Sequence, residues 1–184
     1  MKERPILFSG PMVRALVSGT KTQTRRIVKP QPLPALRMGQ PFDGKRYIKC
    51  PYGQPGDRLW VRETWAETHV LGMPAAVTVF RECDTLSDYG GPWKPAIHMH
   101  RWRSRITLEI TNIRVEQLRQ ITGPDAHAEG CPFPHPSTFP IIQFAHAHTN
   151  TTQWYKELWE SINGTGSWEA NPWVWVIEFK RVKP

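Results

Sequence analysis

The run Trp173-Val174-Trp175-Val176-Ile177-Glu178-Phe179 places the tightest limit on what this chain can become. Six of its seven consecutive residues are apolar, so neither face of an extended segment can be left to water. Such a strand belongs at the centre of a sheet that is closed or covered on both sides. A second segment, Ser104 to Val115, alternates instead: Ile106, Leu108 and Ile110 share one face, and Arg105, Thr107, Glu109 and Thr111 the other. It meets a core with one side only.

Around these strands the pattern predicts short elements. Ile6 to Phe8 is a brief apolar strand, and Arg58 to Trp65 alternates with Leu59, Val61 and Glu63 opposing Trp60, Arg62 and Thr64. Pro11 to Ser18 reads as two helical turns, with Met12, Ala15 and Leu16 apolar and Gly19 closing them. Ser9, before that helix, either caps it or helps its free N–H groups hold a phosphate or an acyl oxygen. Thr122 to Glu129 is a further short helix, and Thr151 to Ile162 an amphipathic one with Trp154, Leu158, Trp159 and Ile162 inward. The reading is one α+β domain over residues 1–184, long enough to bury about 70% of its unfolded surface. Residues 29–56, rich in proline and glycine, form a covering loop, and 66–95 and 131–150 are insertions, the first carrying a strand over Ala76 to Arg81.

The densest chemistry lies in Gly19-Thr20-Lys21-Thr22-Gln23-Thr24-Arg25-Arg26. A threonine hydroxyl attacks an acyl carbon when a base removes its proton. A lysine serves as that base when burial and neighbouring cations disfavour its ammonium form. A strand from Thr22 onward puts Thr22, Thr24 and Arg26 on one face, so Lys21 meets Thr24 only if it lies in the turn and folds back. The competing reading is a solvated basic edge with ordinary strand threonines. Glu63, in line with Leu59 and Val61, is a buried carboxylate needing a partner, with Lys21, Arg25 or Arg26 as candidates. It is either a second acid or a structural counter-ion.

With 24 Lys and Arg against 16 Asp and Glu, the net charge of +8 favours phosphate-rich partners. In the covering loop Lys29, Arg37, Lys45, Arg46 and Lys49 alternate with Tyr47 and Tyr52, a pattern shared by nucleic-acid grooves and solvated loops. Cys50, Cys83 and Cys131 are odd in number and widely spaced, which suits free thiols in a reducing cytoplasm better than a disulfide framework. No apolar run is long enough to cross a membrane or to serve in export. His98 and His100, and His127, Cys131 and His135, lack the further ligands a zinc site requires. Trp168, beside the glycine-rich turn Asn163 to Ser167, is a candidate base-stacking lid.

Gly19, Lys21 and Arg26 resemble the Gly-x-Lys-x-x-x-x-Arg signature of the ASCH superfamily, small PUA-like β-barrel domains associated with RNA. The similarity extends to Ile6–Met12, Gly56–Trp65 and Asn171–Phe179, which look like versions from phage and prophage proteins. Residues 93–102 also look like a phage segment, except that proline commonly sits where this chain has His100. Many ASCH domains carry glutamate at the position of Thr24. A bacterial branch with Lys-Thr-x-Thr-x-Arg instead removes the acetyl group from 4-acetylcytidine and uses a glutamate in an Ala-x-x-Glu context, which Ala126-His127-Ala128-Glu129 matches.

The resemblance implies a mostly antiparallel PUA-like β-barrel flanked by short helices. It also implies a metal-independent and cofactor-free amidohydrolase acting on 4-acylated cytidine, as nucleoside or within RNA. Thr24 is then the nucleophile and Lys21 the base. Glu129 protonates the departing amine or orients Lys21. Arg26 and Glu63 shape the pocket, with Trp65 or Trp168 stacking the base. Two alternatives stand beside it: a non-catalytic module that binds RNA or a modified base, with Lys21 and Arg26 on phosphate, and a ribonuclease. The oligomeric state is left open between monomer and weak dimer.

Overall fold

A computed structural model describes residues 1–30, 41, 47–69, 75–82, 89–132 and 141–182, with 141–150 as backbone only. Arg37, Lys45, Arg46, Cys83 and His135 lie outside the described residues.

The chain is α+β. Strands β1 (Glu3–Leu7), β2 (Gln23–Ile27), β3 (Arg58–Arg62), β6 (Thr107–Gln117) and β7 (Trp173–Val182) form one sheet in the order β1-β3-β6-β7-β2. β1 runs parallel to β3, and the other neighbours are antiparallel. A separate two-stranded ribbon pairs β4 (Trp65–Thr68) with β5 (Val77–Phe80). The helices are α1 (Gly10–Val17), α2 (Gly123–Ala128) and α3 (Ile141–Asn163). Among the described residues no ladder joins the edge strands β1 and β2 into a closed barrel. The Arg26 guanidinium nevertheless spans that gap, donating to the Leu7 carbonyl at 2.6 Å, so the sheet curls until its edges are one side chain apart.

The pattern of β7 explains this architecture. Trp175, Ile177 and Phe179 point into the principal core with Ile6, Leu59, Val61 and Leu108. Val174 and Val176 point the other way, into a second core with Leu118, Ala126, Tyr155, Trp159 and Trp168. β7 is therefore sandwiched, and α2 and α3 cover its second face.

Three expectations are corrected. The alternation over Arg58 to Trp65 is not one strand, because the chain leaves the main sheet after Arg62 and Trp65 opens the β4–β5 ribbon. Helix α3 begins at Ile141, inside the expected insertion, and Ile162 at its end is exposed rather than inward. His98 ends a short 3-10 turn and His100, extended in backbone, precedes the next one, so the two do not share one continuous extended segment. Among the described residues Cys50 and Cys131 are in no disulfide, and no helix is long and apolar enough to cross a membrane.

Candidate functional site

Lys21 sits in the turn, not the strand. α1 ends at Ser18, and Gly19 takes a φ of +80°, reversing the chain at little steric cost. The Lys21 N–H then donates to the Ala15 carbonyl at 3.0 Å and the Thr22 N–H to the Ala128 carbonyl at 2.8 Å, which pins this turn between α1 and α2. Its stem is directed inward, and the side chain is fully buried.

Glu129 arrives from the opposite side. Thr122 and Asp125 form a reciprocal capping box that starts α2, and the helix closes at Glu129 with Gly130 at φ +98°. The Lys21 ammonium donates to both the Glu129 carbonyl at 2.8 Å and its Oε2 at 2.9 Å. The other carboxylate oxygen, Oε1, accepts from Arg25 at 3.2 Å. Arg25 is in turn held by Glu116 and, at 3.3 Å, by Asp125. A carboxylate at a helix C-terminus is disfavoured by the dipole, and here two buried cations compensate it.

Thr24, only 2% exposed, lines a cleft of about 320 Å³ together with Arg25, Arg26 and Glu129. The size is at the lower end for a small-molecule site. The opposite wall comes from α3, where Tyr155, Leu158, Trp159 and Ile162 line the opening, and Tyr52 and Lys29 close another side. The Trp159 indole Nε1 is buried without a hydrogen-bond partner, and an orphaned buried donor beside a cleft is disposed to meet an acceptor on a ligand. Trp159 belongs to the second core, as the sequence predicts, and lines the cleft as well. Only the exposed Ile162 one turn on signals that this end of the helix is uncovered, and exposure is not written in the sequence.

The electrostatics make the Lys21 ammonium harder to keep than that of an ordinary lysine. Burial lowers the Lys21 value below that of an ordinary lysine; Glu129 opposes this, and Arg26 and Arg25 add to it. Burial raises the Tyr155 phenol well above its usual range, with the Glu129 charge adding to the effect, so its hydroxyl stays protonated.

Of the other residues singled out in the sequence, Arg26 is at the cleft and the rest lie elsewhere. Arg26 lines the cleft, its guanidinium 5.4 Å from the Phe8 ring centre. Ser9 occupies the N-cap of α1 without a side-chain cap bond, and its carbonyl accepts from Val13. Glu63 is buried but pairs with Arg105 through two bonds of 3.0 and 2.8 Å, not with Lys21, Arg25 or Arg26. Trp65 is clamped between Lys94 and Arg103, each 4.6 Å from its ring centre, at the β4–β5 ribbon and outside the cleft lining. Trp168 is buried in the second core against Tyr155, at 6.4 Å between ring centres, rather than poised over the opening.

The Thr24 hydroxyl and the Glu129 carboxylate therefore line one cleft, and the buried Lys21 amine, from the turn that leads into the Thr24 strand, is bonded to Glu129. Comparison of the chain with models of protein families, with curated proteins and with solved structures returns no match.

Proposed function

We propose that the protein is an amidohydrolase of the ASCH type, built on a PUA-like parent fold, that removes an acyl group from the exocyclic amine of 4-acylated cytidine. Glu129, paired with the buried Lys21 at 2.9 Å, lines the same ligand-sized cleft as Thr24, and this carries the reading. The resemblance of the Lys-Thr-x-Thr-x-Arg segment supplies the substrate class.

In this scheme Thr24 Oγ attacks the acyl carbonyl carbon as its proton passes to the neutral Lys21 amine. The Trp159 N–H is a donor for the oxygen that gains charge. The carbon–N4 bond then breaks, and the proton held by the Lys21–Glu129 pair goes to the departing amine, releasing cytidine. Water attacks the acyl-threonine ester as Lys21 takes its proton; the acyl–Oγ bond then breaks, Lys21 returns that proton to Thr24 Oγ, and the carboxylic acid leaves. Arg25, fixed by Glu116 and Asp125, holds Glu129 in place through the cycle.

A binding module that uses Lys21 on phosphate is less well supported, because that ammonium is buried and already occupied by Glu129. The test is release of cytidine from 4-acetylcytidine. The wild type and Thr24→Ser should turn it over, and Thr24→Val, matched in shape but without the hydroxyl, should lose at least about a thousandfold in kcat. Equal rates for Thr24→Val and wild type would remove the nucleophile, and shortened RNA with its acyl groups intact would point to a ribonuclease.

A further inference from the structure

A second cavity lies next to the candidate cleft, beyond Arg26. Across the β2–β7 ladder Arg26 faces Trp175, and Trp175 lines this second groove, of about 850 Å³. Residues directly opposed in an antiparallel pair lie about 5 Å apart on the same face, so a single pair of side chains separates the two cavities. The segment 47–54 runs along both: Pro51 and Tyr52 line the cleft, while Tyr47, Lys49 and Gly53 line the groove.

The groove is built for an anionic, acceptor-rich ligand with flat faces. Lys2, Arg4 and Lys49 line it, and among the described residues none of the three is ion-paired. Among the described residues its one acid, Asp57, is already engaged by the backbone N–H groups of Lys2 at 2.7 Å and Gln54 at 3.3 Å. Arg114 also lines it but is committed to Glu116, Asp125 and Glu178. The Trp175 Nε1 is a buried donor with no partner, and Tyr47 is 41% exposed. Cations that track a backbone together with aromatic faces for bases are the means by which single strands are held without sequence preference.

We propose that this groove holds the sugar-phosphate strand flanking the acylated cytidine, so that the substrate is single-stranded RNA rather than a free nucleoside. The proposal rests on the amidohydrolase reading for the cleft itself. A nucleoside has no phosphate and leaves the three cations and the orphaned indole unused. A base in a duplex cannot enter the cleft without leaving its stack.

The experiment compares kcat/KM on 4-acetylcytidine, on its 5′-monophosphate and on a short single-stranded oligoribonucleotide carrying one such residue, for the wild type and the triple variant Lys2→Gln, Arg4→Gln, Lys49→Gln. The wild type should prefer the oligonucleotide by about tenfold or more at low salt. A log–log salt slope near −2 is expected, about 0.7 for each of three phosphates neutralised. In the triple variant the oligonucleotide-to-nucleoside ratio should fall towards one and the slope flatten. Three results would overturn the proposal: a ratio of one for the wild type, an unchanged ratio in the variant, or a monophosphate used as well as the strand. Should neither protein turn over any substrate, the amidohydrolase reading fails, and fluorescence anisotropy with an unmodified oligoribonucleotide then decides on the groove alone. Weaker, less salt-sensitive binding by the triple variant sustains the groove, and equal binding overturns it.

Discussion

Lys21 is held where its ammonium form is harder to keep than in water. Burial is the dominant cause, and the cations of Arg26 and Arg25 work in the same direction against the Glu129 carboxylate. A base acts in its unprotonated form, and for an amine that fraction grows as pH rises through its titration point. The proposed mechanism thus predicts that kcat/KM on 4-acetylcytidine climbs with pH and levels off, with a midpoint below the ordinary lysine value of 10.5. A pH–rate profile checks it, and a limb that falls over this range would mean that the ammonium, not the amine, is the working form. The same pair makes Lys21 a structural residue. Lys21→Met leaves Glu129 with only Arg25, and removing one partner of a buried ion pair costs about 3–5 kcal/mol, measurable as a lower urea midpoint.

At the scale of elements, the site depends on how the end of α2 seats against α1. A methyl added at Gly130 would lie 3.0 Å from the Ala15 Cβ and 3.5 Å from the Lys21 Cβ, on a residue whose φ of +98° already disfavours a side chain. Gly130→Ala is expected to cost at least about 1–2 kcal/mol in urea unfolding and to slow turnover by parting Lys21 from Glu129. A variant with unchanged stability would show that this junction has room to relax. Much of this level was legible from the chain. The alternation of Ile106, Leu108 and Ile110, the two-faced run before Phe179 and the Thr122 cap are local patterns, and local patterns survive folding. Partner choices over long separations are not local. Glu63 reaches Arg105, 42 positions away, and Arg25 gathers Glu116 and Asp125 as well as Glu129, none of which periodicity can indicate. The break after Arg62 was hidden for the same reason, since Trp65 continues the alternation yet pairs with Phe80 in another sheet.

For the whole molecule, the decisive arrangement is two cores sharing one strand, with the candidate site at their junction. Lys21 approaches Phe8 of the principal core at 5.6 Å, while Arg25 lies over Tyr155 of the second at 5.8 Å. The cleft wall from α3 therefore stands only as firmly as the second core behind it. Trp168 supports that wall, being 7% exposed and packed edge-on to Tyr155, whose ring also touches the cleft. Trp168→Ala should cost about 3–5 kcal/mol, as large-to-small changes in a core do, and should raise KM because Tyr155 and Trp159 lose their backing. Trp168→Phe should recover most of both. A stacking lid behaves differently: its loss weakens substrate binding while the urea midpoint stays where it was, and phenylalanine replaces it in stacking alone. Measuring stability and KM on the same two variants separates a wall supported from behind from an aromatic that closes over the base.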